Sequence, residues 1–86
     1  MDEQELISKK QTIRARVLNT LYSLTNGSQS KAENYSKLAD ETGFSSEDVK
    51  DAFQYLSKAG FVEGMHGGNY RLTHKGILEV EKSIQN

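Results

Sequence analysis

The sequence predicts a mainly α-helical fold with one small β-hairpin, an α+β arrangement in the order α-α-α-β-β-α. Three observations predict it. Apolar residues recur at helical spacing in four separate stretches. Gly27, Gly43 and Gly60 stand where the first three of those stretches stop. Between the third and fourth, "FVEG" and "YRLT" flank the glycine- and asparagine-rich "GMHGGN", a strand–turn–strand signal.

The first helix is carried by Ile13, Val17, Leu18, Leu21 and Leu24, with Leu6 further upstream. The steps from Ile13 are those of one helical face. Residues 1–5 are polar and expected to fray. "TNG" offers Asn26 or Gly27 as a left-handed cap. Ser28 to Asn34, "SQSKAEN", has no apolar period and reads as a surface loop. Ser36 is the expected N-cap of a short second helix in which Leu38 and Ala39 point inward and which Gly43 stops. Ser45, with Asp48 three residues on, resembles a capping box for the third helix, whose buried stripe is Val49, Ala52, Phe53 and Leu56. In the hairpin Phe61, Tyr70 and Leu72 are the expected buried residues, so Arg71 faces solvent. Thr73 caps a last helix in which Ile77, Val80 and Ile84 share a face.

Eighty-six residues make one domain, 1–86, with a core of a single cluster. The formal charge is −1, so any attraction to nucleic acid must come from local patches. No run of about 18 apolar residues exists to span a membrane. "MDEQELISKK" lacks the apolar segment of a secretory signal. The chain has no cysteine; that removes disulfides and thiolate metal sites and suits a reducing, cytoplasmic compartment.

Two helices joined by a short turn containing Gly43 form a helix-turn-helix unit, and a hairpin directly after the second is a wing. "YSKLADETGFSSEDVKDAFQYLSKAGFVEG…YRLTHKGILEVE" resembles the winged helix-turn-helix modules of bacterial and archaeal transcription regulators. In layout it is similar to the multiple-antibiotic-resistance and phenolic-acid repressor groups. The matching features are the "LA" helix, the "TG" turn, "AGFV" and "Y-x-LT-x-KG", over about residues 13–84. The resemblance implies double-stranded DNA as partner, with the helix Ser46–Ala59 in the major groove and the wing touching a minor groove or phosphates.

On that helix Glu47, Lys50, Asp51, Gln54 and Lys58 face away from the buried stripe. Gln54 suits an adenine edge, and Lys50 a guanine edge or a phosphate. Ser45 or Ser46 can donate to a phosphate at the helix start. His66 and Arg71 are the wing candidates. "KKQTIRAR" supplies a further basic patch in which Lys10 and Arg14 lie one turn apart. Against this, residues 36–60 hold Asp40, Glu41, Glu47, Asp48 and Asp51 but only Lys37, Lys50 and Lys58, a net −2. Carboxylates beside a phosphate backbone are unfavourable. A second reading therefore stands: a protein-interaction module on the same scaffold, its charges a solvated face.

Neither catalysis nor a metal is indicated. Two histidines, His66 and His74, without cysteine match no zinc spacing. "GMHGGN" lacks the Lys-Ser/Thr of a phosphate loop. No cofactor is expected. Nothing in the sequence indicates a small-molecule pocket, though the space between Tyr22, Tyr35 and Tyr55 could hold one. The last helix, with Leu78 beside its apolar face, is the candidate surface for a homodimer, which would suit a palindromic site.

Overall fold

In the computed structural model, which describes residues 2–84 and the side chains of 2–83, the first helix begins earlier than the sequence suggests. α1 spans Glu3–Leu24, and Asp2 caps it by accepting from the Glu5 amide at 2.8 Å. Glu3 and Glu5 in the first turn suit the positive end of the helix dipole. The segment expected to fray is thus a capped first turn. Leu6, expected on the core-facing stripe, is 44% exposed, and burial begins only at Ile13. At the other end Thr25, fully buried, donates its hydroxyl to the Leu21 carbonyl at 2.8 Å.

The segment read as a loop contains a strand. β1 (Ala32–Asn34) pairs antiparallel with β3 (Asn69–Leu72), which also pairs with β2 (Val62–Met65). The sheet order is β1-β3-β2. β1 was hidden because "AEN" has no apolar alternation; it forms because β3 offers it an open edge. Its last residue, Asn34, is the N-cap of α2 (Tyr35–Thr42), not Ser36. The Asn34 carboxamide oxygen accepts from the Ser36 amide at 3.0 Å and hydroxyl at 2.9 Å.

The turn between α2 and α3 (Ser46–Lys58) is built as expected. Gly43 is left-handed at φ 79, and its amide donates to the Ala39 carbonyl at 2.9 Å. A Cβ there would meet nothing within 4 Å, so only backbone strain penalises a side chain. Gly43→Ala is expected to cost about 1 kcal/mol, and Gly43→Asn less, because Asn tolerates this conformation. Urea titration with an unchanged m-value checks it.

One core joins all the layers. Val17, Leu21, Leu38, Val49 and Phe53 are fully buried at its centre, and Val62, Leu72 and Val80 close it from the sheet and α4 (His74–Ile84). Phe61 and Tyr70 are only half-buried; Val62 takes the inward place beside Leu72. The expected inward side chain of Ile84 lies outside the described residues. Phe53 stacks on Tyr70 with ring centroids 4.0 Å apart and planes 9° from parallel, which fixes the hairpin to α3.

"LTHKG" is explained by docking. Thr73 donates its hydroxyl to the Gly60 carbonyl at 2.5 Å and accepts from the Gly76 amide at 3.0 Å. Lys75 Nζ donates to the Ala59 carbonyl at 2.9 Å, a cation at the carbonyl end of α3. Gly76 is buried against the Phe61 backbone. Tyr22 donates to Glu81 Oε2 on α4 at 2.8 Å, which raises the tyrosine's pKa above its usual value. Among the described residues no helix is long and apolar enough to cross a membrane.

Candidate nucleic-acid interface

α3 presents its polar face because its apolar residues are all used inward. Val49, Ala52, Phe53 and Leu56 occupy one side, leaving Ser46, Glu47, Lys50, Asp51, Gln54 and Lys58 exposed on the other. Ser45 Oγ accepts from the Asp48 amide at 3.1 Å, so this candidate phosphate donor is already the helix cap. Its hydroxyl proton is not used by that bond.

Lys50, Gln54 and Lys58 follow one another at steps of four, a single ridge along the helix. The ridge begins beside the hairpin. Lys50 Nζ sits 4.5 Å over the Tyr35 ring, and a Cβ on Gly68 at the hairpin tip would come within 2.8 Å of the same ring. Tyr35 therefore brings the start of α2, the middle of α3 and the tip of the hairpin together. Asn34 adds a polar tie. Its Nδ2 donates to the Gly67 carbonyl at 2.9 Å and to Asn69 Oδ1 at 3.1 Å, and Asn69 Nδ2 donates to the His66 carbonyl at 3.0 Å. Gly67 and Gly68 turn the tip with φ of 78 and 82.

Asp48 and Asp51 turn towards α1, whereas Glu47 stays exposed on the ridge face, about 20° around the helix from both Gln54 and Lys58. Asp48 and Asp51 line a groove against Lys9, Lys10 and Arg14 of α1. Tyr55, on the same flank, carries the Arg14 guanidinium 3.7 Å from its ring centroid. At about 100° per residue, Tyr55 and Lys50 point about 140° apart around α3. The sequence set is thus divided. Ser45 caps the helix that carries Ser46, Lys50, Gln54 and Lys58, and His66 stands at the hairpin tip. Arg71 alternates with Tyr70, which stacks on Phe53 of α3, so it faces the opposite side of the sheet. Lys10 and Arg14 stand on the far flank, next to Asp48 and Asp51.

Arg71 is not free. Its Nε donates to Glu63 Oε1 at 2.7 Å, and a second guanidinium nitrogen pairs with the same oxygen across the β2–β3 ladder. His66 is exposed at the tip. The three tyrosines do not form a common pocket: Tyr22 reaches Glu81, Tyr35 the hairpin tip, and Tyr55 Arg14. Among the described residues no group of three His, Cys, Asp or Glu could hold a metal ion. Sequence reasoning missed Asn34 and Glu63 and gave Tyr35 and Tyr55 a different role; each matters through a contact more than eight residues away or across the sheet.

No protein-family model matches the chain, and no curated protein is similar to it in sequence.

Proposed function

We propose that the chain binds double-stranded DNA, as a transcriptional regulator or as the DNA-binding module of a longer one. α3 enters the major groove and the hairpin lies along an adjoining phosphate run. The observation that carries this reading is the exposed Lys50–Gln54–Lys58 ridge on the hairpin side of α3, with Asp48 and Asp51 turned towards the cations of α1. Two of the five acids of residues 36–60 thus sit beside cations of α1, while Glu47 remains exposed on the ridge face. α3 has 13 residues, about 20 Å, and a major groove accommodates such a helix. Gln54, in the middle of the ridge, is the base reader, and Lys50 and Lys58 are phosphate contacts.

Fluorescence anisotropy with a mixed-sequence duplex at increasing salt tests this. Affinity should fall steeply with salt, and Lys50→Ala with Lys58→Ala should lower the log–log slope by about 2. Glu63→Gln removes an acid from the hairpin and releases Arg71, so it should tighten binding. No anisotropy change at low salt would defeat the reading.

The second reading, a protein-interaction module, is favoured by the Glu63–Arg71 pair and by the exposure of Tyr55 and Met65, 48% and 44%. Binding that is insensitive to Lys50 and Lys58 would favour it.

A further inference from the structure

We propose that Glu47 is a base-reading residue, selecting a cytosine in the major groove about three base pairs from the adenine that Gln54 takes. This rests on the DNA-binding reading above and turns it from a general affinity into a sequence preference. Glu47, Asp48 and Asp51 stand in the first half of α3. Asp48 and Asp51 line the groove against Lys9, Lys10 and Arg14, whereas Glu47 is exposed and has no part in that lining. Standing between Gln54 and Lys58 on the helical wheel, about 20° from each, it occupies the centre of the outward face. It is the second residue of α3, and recognition helices meet base edges with their N-terminal residues. Among the described residues the ion pairs are Lys37–Glu41 and Glu63–Arg71, and neither involves Glu47. Lys50, one turn on, has its Nζ 4.5 Å from the centroid of the Tyr35 ring. The carboxylate is thus presented to whatever α3 docks against.

A carboxylate only accepts hydrogen bonds. Phosphates repel it, so it is favourable in the groove only where a base offers a donor. The major-groove edge offers two, the N4 amino group of cytosine and the N6 amino group of adenine. Guanine N7 and O6 and thymine O4 are acceptors and would set lone pair against lone pair. Adenine also carries its N7 acceptor beside the amino group. That edge suits the paired donor and acceptor of a Gln carboxamide, but it opposes the second oxygen of a carboxylate. Cytosine has only a C–H in that place. Glu47 therefore selects cytosine, and Gln54 adenine.

The spacing lets both act at once. Seven residues from 47 to 54 span about 10 Å of helix axis, or about three base-pair steps of about 3.4 Å. Every other base leaves the carboxylate desolvated without a donor, so Glu47 works against wrong sites as much as for the right one. The acid that lowers affinity for DNA at large is thereby a source of discrimination.

Sequencing the duplexes that the 86-residue chain retains from a randomised pool tests this. Retained sites should fix a C·G pair with an A·T pair about three positions away. Changing that C·G pair alone should weaken binding at least about fivefold, read by anisotropy at constant salt. Glu47→Gln should move the preference at this position from cytosine to adenine, because a carboxamide matches the adenine edge. Glu47→Ala should abolish the preference there while tightening binding to mixed-sequence duplex, because a negative charge leaves the groove. Circular dichroism checks that both variants remain folded, and the substituted position is exposed. Retained sites without the C·G pair, a Glu47→Ala variant that keeps the preference, or a Glu47→Gln variant that still selects cytosine would each overturn the proposal. Each of those outcomes leaves salt-sensitive binding through Lys50 and Lys58 in place. Failure of the DNA-binding reading looks different: no duplex binds at low salt, and both proposals fall.

Discussion

Gly76→Ala is expected to destabilise the fold by about 3 kcal/mol or more. The new methyl would overlap the Phe61 carbonyl oxygen, approach the Phe61 carbonyl carbon to 2.9 Å and reach Leu72 Cδ2 at 3.3 Å. Leu72 can rotate. The Phe61 peptide cannot, because its amide donates to the Leu56 carbonyl at 2.9 Å and its carbonyl accepts from the Thr73 amide at 3.1 Å. α4 must therefore lift from α3. That strains the Thr73–Gly60 and Lys75–Ala59 hydrogen bonds and loosens Val80. For a domain of this size each kcal/mol is about 4–8 °C in Tm, so a loss of about 12–24 °C is expected by thermal circular dichroism. Gly43→Ala, also at a helix-flanking glycine, has free space and should move Tm far less. Equal effects at the two positions would mean that α4 does not press on the Phe61 backbone.

Phe53→Ala is expected to cost about 3–5 kcal/mol. Phe53 is fully buried, and its ring lies flat on Tyr70. Truncation opens a cavity at the point where α1, α3 and the sheet meet, and it removes the contact that fixes the hairpin against α3. Native domains of this size hold roughly 5–13 kcal/mol in total, so the variant should be partly unfolded near body temperature. Phe53→Leu keeps most of the volume and should cost much less. A double-mutant cycle with Tyr70→Leu, read by urea denaturation, should give a coupling of about 0.5–1.5 kcal/mol for the ring pair. Zero coupling would mean that the two rings contribute independently.

The elements most legible in the sequence are those that carry their own signals. α3 is declared by the Ser45 cap, the Val49–Phe53–Leu56 stripe and Gly60, and it falls within a residue of its expected end. The turn glycine and the hairpin tip were equally visible, because left-handed backbone demands such residues. β1 was not, since three residues paired on one side carry no period. Leu6 misled for a related reason. Helical spacing identifies the face a residue belongs to, but it cannot say where the neighbouring helix stops.

The candidate site was half legible. Lys50, Gln54 and Lys58 follow from the helical wheel alone. The state of their neighbours does not, because it depends on tertiary partners. Arg71 faces solvent as expected, yet it is held by Glu63, eight residues earlier. That pairing could have been anticipated from a hairpin centred on Gly67, in which 63 stands opposite 71. The Arg14–Tyr55 contact has no local signal, since its two halves are forty-one residues apart on different helices.

Asn34 closes α2 with its oxygen and grips the hairpin with its nitrogen. The hairpin is therefore preorganised rather than a loose flap: the entropic cost of ordering it for any ligand is largely met before that ligand arrives. The same economy makes it vulnerable. Conversion of this one carboxamide to a carboxylate would keep the helix cap but delete both donors to the tip, unfastening the hairpin while leaving the helices intact.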